Sequence, residues 1–159
     1  MKNNKGFSLV ELIIVIAIMA VLVGVLAPTY LQYVEKSKKS NDVSSVDSVI
    51  NACEIGAIDP EVMTDKTTKL TITFKSDNSG MTIAAVDKSN AAVSNSKWQK
   101  AVTDAVGSDV KLKSTNWTAD IVVIAERDPA TGSVKFTYGG TTPQVFKDYA
   151  TSLTKVKNS

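Results

Sequence analysis

One carboxylate lies inside an otherwise apolar stretch near the start of the chain. Glu11 is followed, from Leu12 to Ala27, by residues that carry no charge and no strongly polar side chain. A carboxylate in the hydrocarbon of a membrane costs about 2.5–3.5 kcal/mol on insertion scales, so it is expected to have a partner. The residues beside Glu11 offer no cation. Glu11 is therefore the first candidate for a functional group.

The apolar stretch has the length of a helix that crosses a membrane. Counted from Phe7 it comprises about 20 residues, which is what a bilayer requires. Ala17, Ala20, Gly24 and Ala27 recur on one face of such a helix. The pair Ala20 and Gly24 has the small-xxx-small spacing that lets two helices approach closely. Small residues are also common in any membrane helix, so both interpretations stay open.

Pro28 follows this stretch directly. It removes one backbone donor and crowds the carbonyl oxygen of Gly24, four residues earlier. A kink or a locally loosened helical turn is therefore predicted at this position.

The first 35 residues or so resemble the N-terminus of the type IV pilins and the related pseudopilins. The resemblance rests on a short basic leader, the stretch KGFSLVE that ends at Glu11, and the long apolar run behind it. Pro28 also lies where that family has its helix proline. In that family a membrane peptidase cuts after the glycine and methylates the new N-terminal phenylalanine. The resemblance therefore implies cleavage between Gly6 and Phe7, N-methylation of Phe7, and an assembly role for Glu11, Ala17, Ala20, Gly24 and Pro28.

Cleavage at this position would supply the partner that Glu11 needs. Before hydrolysis the Phe7 nitrogen is an amide, and afterwards it is an amine that is cationic at neutral pH. In a filament, the amine of one subunit can meet the Glu11 carboxylate of a neighbour, and a buried pair of this kind fixes register. The alternative is an ordinary secretory signal peptide. That would have a shorter apolar core without a carboxylate, followed by a small-x-small cleavage site.

The helical pattern continues beyond Pro28 with a different character. Apolar residues recur there at helical spacing: Val43, Val46, Val49, Ile50, Cys53 and Ala57. Polar residues from Asp42 to Glu54 are assigned to the opposite face. We predict one helix from Phe7 to about Ile58, ended by Asp59-Pro60. Cys53 lies on the apolar stripe and is predicted to be buried packing.

The remaining residues alternate with the period of a β-sheet. Strands are predicted at 70–74, 81–86, 117–125 and 134–138, with turns at 76–80 and 128–132. Ser96 and Gln99 have the spacing of a capping box for a short helix that ends at Gly107. A last helix is predicted from Val145 to Leu153.

These patterns predict an α+β fold. A long N-terminal helix, its first half membrane-spanning, packs its second half against an antiparallel β-sheet head. The predicted divisions are a leader at 1–6, the membrane and filament-core helix at 7–28, its amphipathic continuation at 29–58, and the head at 59–159.

Composition argues against several classes of function. The chain has no histidine, which is the commonest general base and metal ligand. Its formal charge is only +2, unlike that of a basic nucleic-acid binder. No glycine-rich phosphate loop and no clustered metal ligands are visible. We predict no enzyme, no cofactor, no metal and no nucleic-acid partner. The single cysteine excludes an internal disulfide, whereas many pilins of double-membrane bacteria carry a C-terminal cysteine pair, so a Gram-positive source or a pseudopilin is favoured.

The resemblance implies a structural subunit of a surface filament that serves adhesion, twitching motility or aggregation. Its implied partners are copies of itself and other pilins, a prepilin peptidase, a membrane assembly platform, and the lipid bilayer before assembly. The precursor would be held in the cell membrane with its N-terminus cytoplasmic and its head outside, and would then join an extracellular filament. Lysines flank the apolar run on both sides, so this orientation comes from the resemblance and not from the lysine count.

Two other functions remain open. One is a pseudopilin of a type II secretion or competence system. The other is a membrane-anchored binding or enzymatic domain that does not polymerise. Glu11 argues against the latter, since a simple anchor gains nothing from a carboxylate in lipid.

Overall fold

The computed structural model describes residues 6–150 and, for the backbone alone, Val156–Lys157. Residues 1–5 of the predicted leader and Leu153 of the predicted last helix lie outside the described residues. The chain divides into two compact units, Met1–Ser37 and Lys38–Ser159. The first helix, α1 (Leu9–Ala57), supplies residues to both units.

The first unit consists of the apolar part of α1. This helix is long and apolar enough to cross a membrane, and none of its most apolar 18-residue window is buried. The large side chains from Leu9 to Leu26 are all exposed. α1 continues without a break through Pro28. Pro28 therefore does not interrupt the helix, since one missing N–H group leaves the hydrogen bonds of the neighbouring turns in place.

The second unit combines the rest of α1 with a sheet and short helices. Its further elements are α2 (Pro60–Met63), β1 (Thr67–Phe74), β2 (Met81–Asp87), α3 (Lys97–Val106), β3 (Ile121–Arg127), β4 (Val134–Tyr138), α4 (Gln144–Tyr149) and β5 (Val156–Lys157). The strand order is β2-β1-β3-β4-β5. The first three pairings are antiparallel, and β5 joins β4 in parallel. Ile72 in β1 aligns with Ile83 in β2 and with Val123 in β3.

The core of this unit forms one cluster of buried residues. α1 contributes its predicted stripe, which includes Val46, Val49 and Cys53. Alternate residues of the sheet complete the cluster, as the strand period requires: Leu70, Ile72, Phe74, Ile121, Val123, Ala125 and Phe136. The indole nitrogen of Trp98 in α3 donates to the carbonyl oxygen of Cys53 at 2.9 Å. The predicted α+β fold, with a long N-terminal helix and an antiparallel sheet, is confirmed.

Two local predictions about secondary structure need correction. β3 begins at Ile121 and not at Trp117, although Trp117 is buried, because its ring is held in the preceding loop. The Ser96 hydroxyl does accept from Gln99 N at 3.1 Å. The Gln99 side chain, however, donates to the carbonyl of Ile83 at 3.0 Å and so does not close a capping box.

Asp42 is the largest error in the predicted burial pattern. The helical period places it on the polar face of α1, yet its side chain has no exposed area. Its carboxylate accepts hydrogen bonds from a loop that is distant in sequence. A periodicity argument counts a charged residue as solvent-facing, and it cannot foresee donors that fold back onto the helix.

Candidate processing and assembly segment

The side chains of Ser8 and Glu11 cap the N-terminus of α1. The Ser8 hydroxyl accepts from Val10 N at 3.4 Å, and Glu11 Oε2 accepts from Ser8 N at 2.8 Å. This reciprocal arrangement is a capping box, which satisfies backbone donors that have no partner within the helix. The spacing Ser8-x-x-Glu11 is its sequence signal, and sequence reasoning missed it.

The cap gives Glu11 a neutral partner but no counter-charge. A backbone N–H occupies one carboxylate oxygen, and the N-terminal end of the helix adds an attraction of about 0.3–1 kcal/mol for a negative group. Within residues 6–150, the ion pairs of the structure do not include Glu11. The side chain is exposed. A cation brought from outside the helix therefore has access to this carboxylate.

The proposed cleavage site precedes the helix. Gly6 and Phe7 have no helical or strand structure, and the Phe7 side chain is 94% exposed. A methyl group added at Gly6 would meet nothing within 4 Å. The fold of the described chain therefore makes no demand for glycine at this position. Any requirement for a small residue there would come from a protein that acts on the bond.

The small residues of α1 are likewise unconstrained by the chain itself. Ala17, Ala20 and Gly24 lie exposed on the helix, and a methyl group added at Gly24 would meet nothing within 4 Å. Pro28 is exposed on the same helix. The structure thus places the five predicted assembly residues on one exposed segment. No contact within the described chain explains the small size of Ala17, Ala20 and Gly24.

The one cysteine is placed for packing and not for chemistry. Cys53 has no exposed area. Burial, with a smaller contribution from the charge of Glu54, raises the pKa of the Cys53 thiol to about 12. The thiol is therefore protonated at neutral pH, and the thiolate is the reactive form. Among the described residues, no group of three or more His, Cys, Asp or Glu side chains is placed to hold a metal ion.

Comparison with known proteins finds one family model and several relatives that match part of the chain. The family model of the prokaryotic N-terminal methylation motif matches residues 1–27. Two fimbrial proteins of Pseudomonas aeruginosa are each 34% identical to the chain over 70 residues, which cover 43% of this chain and 46% of the relative. Fimbrial protein Q of Moraxella bovis is 37% identical to the chain over 70 residues, which cover 44% of this chain and 41% of the relative.

The matched segment thus spans less than half of the length of these relatives. No solved structure matches the chain significantly. The motif occupies the segment around Gly6, Phe7 and Glu11, and the similarity to the fimbrial relatives covers 70 residues, compared with 27 for the motif. The chain thus begins with the prokaryotic N-terminal methylation motif, continues into a helix apolar enough to cross a membrane, and is similar over 70 residues to fimbrial proteins.

Proposed function

We propose that the chain is the structural subunit of a type IV pilus-like surface filament, assembled from a membrane-held precursor after cleavage between Gly6 and Phe7. The observation that carries this proposal is Glu11. It is an exposed carboxylate at the start of an exposed apolar helix, four residues from the amine that cleavage would create. Phe7 and Ser8 precede α1, which begins at Leu9, so this amine would lie just before the N-terminus of the helix.

The proposed sequence of events begins at the membrane. A prepilin peptidase cuts the exposed Gly6–Phe7 bond and methylates the Phe7 nitrogen. The new amine of an incoming subunit then pairs with Glu11 of a neighbour, and this pair sets the stagger between parallel helices. Ala17, Ala20 and Gly24 allow the helix backbones to approach closely. Pro28 marks the turn that can loosen in the fibre.

The precursor spans the cell membrane with its N-terminus cytoplasmic and its sheet-containing head outside. Copies of the chain, together with other pilins, form the filament with the help of a membrane assembly platform. The filament then acts outside the cell in adhesion, twitching motility or aggregation.

The decisive experiment is Glu11→Gln. The glutamine carbonyl can still accept from Ser8 N, so the helix cap is retained while the charge is removed. Membrane insertion and cleavage should persist. Fibre yield should fall sharply, because the incoming amine would be buried without its counter-charge, a loss of about 3–5 kcal/mol per subunit. Sheared fibres are counted after the N-terminus and the membrane content have been verified.

Ser8→Ala is the matched control for that experiment. It removes the hydroxyl that accepts from Val10 N but leaves the Glu11 charge in place. Its fibre yield should stay close to that of the wild type. Normal fibre yield from fully processed Glu11→Gln subunits would show that the amine–carboxylate pair does not drive assembly.

Processing has an independent test. Mass spectrometry of fibre protein should find a mature chain that begins at a methylated Phe7. Gly6 should tolerate little except alanine or serine, although the fold itself leaves space for more. A mature chain that starts near Ala27, or one that retains Met1, would contradict the proposed assignment.

A further inference from the structure

Two tyrosines and a lysine follow the apolar segment on one side of α1. Tyr30, Tyr33 and Lys36 are spaced three residues apart, so they lie within about 120° of the helix circumference. The tyrosine side chains are 68% and 74% exposed. Lys36 is exposed as well, and the ion pairs found within residues 6–150 do not include it. These side chains are free to meet something outside the chain.

The length of the apolar segment indicates what they would meet. From Phe7 to Ala27 there are 21 residues, and those from Leu9 onward are helical. About 27 Å of helix and two non-helical residues, about 30 Å in all, therefore separate the two ends. That is also the thickness of a bilayer's hydrocarbon core, about 30 Å. With Phe7 at one boundary of the hydrocarbon, Ala27 lies at the other. Residues after Ala27 then enter the layer of phospholipid headgroups.

The axial positions of the three side chains match this layer. In an upright helix Tyr30 and Tyr33 lie about 4.5 and 9 Å beyond Ala27. The headgroup region extends about 5–7 Å beyond the hydrocarbon on each side. Side chains of a helix point back toward its N-terminus, so the ring of Tyr33 lies closer to the hydrocarbon than its Cα atom and enters this region. Lys36 lies about 13 Å beyond Ala27. Its flexible stem allows the ammonium group to reach back toward the headgroup phosphates.

The chemistry of the side chains fits the same layer. A tyrosine ring has an apolar body and a polar hydroxyl, and tyrosine is enriched where hydrocarbon meets water. The ammonium group of Lys36 is complementary in charge to the phosphates that every phospholipid headgroup carries. Along α1, apolar residues are followed by aromatic rings and then by a cation. This order matches the change of environment from hydrocarbon, through the interface, to water.

We propose that Tyr30, Tyr33 and Lys36 bind the phospholipid headgroup layer on the side of the membrane that faces the head, and so hold α1 at one depth. The tyrosine rings lie among the headgroups, and the Lys36 ammonium group binds their phosphates. The fixed depth keeps Phe7 at the opposite boundary of the hydrocarbon. This inference rests on the membrane-held precursor of the proposed function and does not require polymerisation.

The test measures the water accessibility of single thiols. The full-length precursor is inserted into preformed phosphatidylcholine–phosphatidylglycerol vesicles, so that its head remains outside, and is treated with a membrane-impermeant maleimide. The native Cys53 is buried with a pKa of about 12, and unmodified protein should remain unlabelled. Gln32→Cys should be labelled about tenfold more slowly than Ser37→Cys, because only the latter thiol lies in water.

Substitution of the tyrosines tests their role directly. In the Gln32→Cys background, Tyr30→Ser with Tyr33→Ser should raise the labelling rate about fivefold, because serine has no affinity for the headgroup layer. Tyr30→Trp with Tyr33→Trp is the matched control. Tryptophan keeps the interfacial character, so the labelling rate should stay within about twofold of the parent.

Three results would overturn the inference. One is equal labelling of Gln32→Cys and Ser37→Cys. Another is protection that is unchanged by the two serine substitutions. The third is protection that increases with the protein-to-lipid ratio, which would show that a second copy of the chain covers this face. Release of the wild type from vesicles by alkaline carbonate would instead overturn the membrane-held precursor, and so distinguishes the two failures.

Discussion

The buried carboxylate of Asp42 accepts a hydrogen bond from the indole nitrogen of Trp117 at 2.8 Å, across 75 residues of sequence. The same carboxylate accepts from the backbone N–H of Lys113 at 2.6 Å and of Ser114 at 3.0 Å. The segment 107–120 contains no helix or strand. One side chain of α1 therefore holds this segment against the helix by satisfying three of its donors.

Removal of this carboxylate should destabilise the second unit. Asp42→Ala leaves three donors without their acceptor, two of them in buried hydrogen bonds. The expected loss is about 3–5 kcal/mol in the free energy of unfolding. Asp42→Asn should cost less, because its amide oxygen can still accept. Urea unfolding of a soluble fragment that begins at Tyr30 gives these values. Ser44→Ala is the control, since the Ser44 hydroxyl is exposed and bonds only to its own helix. A loss below about 0.5 kcal/mol for Asp42→Ala would contradict the assigned role.

Two neighbouring glycines after β4 should respond differently to alanine. A Cβ atom on Gly139 would lie 2.7 Å from Val122 Cγ1, and Gly139 N donates to Val122 O at 2.9 Å, which keeps the two chains together. Gly139→Ala should therefore cost about 1–3 kcal/mol. Gly140→Ala is the matched control, because its Cβ would meet nothing within 4 Å. Thermal melting of both variants tests this contrast, and equal melting temperatures would refute it.

The acid stability of the second unit should depend on Asp65. Partial burial by itself would raise the pKa of this carboxyl, but hydrogen bonds from Trp98 N, Thr67 and Ser96 outweigh it and hold the pKa below 3.8. Because the folded pKa is depressed, the stabilisation is present above the unfolded pKa, about 3.9. It is lost as the pH falls through the lower folded value.

Asp65→Asn reveals that dependence by comparison with the wild type. The difference in unfolding free energy between the two proteins should be larger near neutral pH than at about pH 3. Urea unfolding across this range provides the measurement. A difference that does not change with pH would show that ionisation of Asp65 contributes nothing to stability.

The fragment that begins at Tyr30 retains the apolar stripe of α1 that packs in the core. This fragment should be soluble, monomeric and cooperatively folded, because the exposed apolar segment contributes nothing to the core. Val49 is 2% exposed, so Val49→Asp buries an unpaired charge. That cost should unfold the fragment, since small domains have a margin of only about 5–15 kcal/mol.

Ser48→Asp adds the same charge one residue earlier, at an exposed position of the same helix. It should melt close to the wild-type temperature. Circular dichroism during heating compares the two variants. A Val49→Asp fragment that melts like the wild type would show that the stripe is not the core.

Much of the fold was predictable because its signals are local. The stripe from Val43 to Ala57 and the alternation of Leu70, Ile72 and Phe74 follow from 3.6-residue and 2-residue periods. Both ends of the long helix were predicted to within two residues. Trp117 was misplaced in a strand because its apolar character alone does not distinguish a strand from a loop that is anchored in the core.

The sequence by itself determined the apolar helix, the position of Glu11 within it and the secondary structure of most of the second unit. Only the tertiary structure decided the strand order, with β1 between β2 and β3, and the burial of Asp42. It also decided that Arg127 is buried, donating to the backbone carbonyls of Val62, Asp65 and Thr67. The physical reason is the same in each case. A buried charge or a strand pairing is favourable only when distant residues supply its partners, and spacing along the chain carries no record of which residues those are.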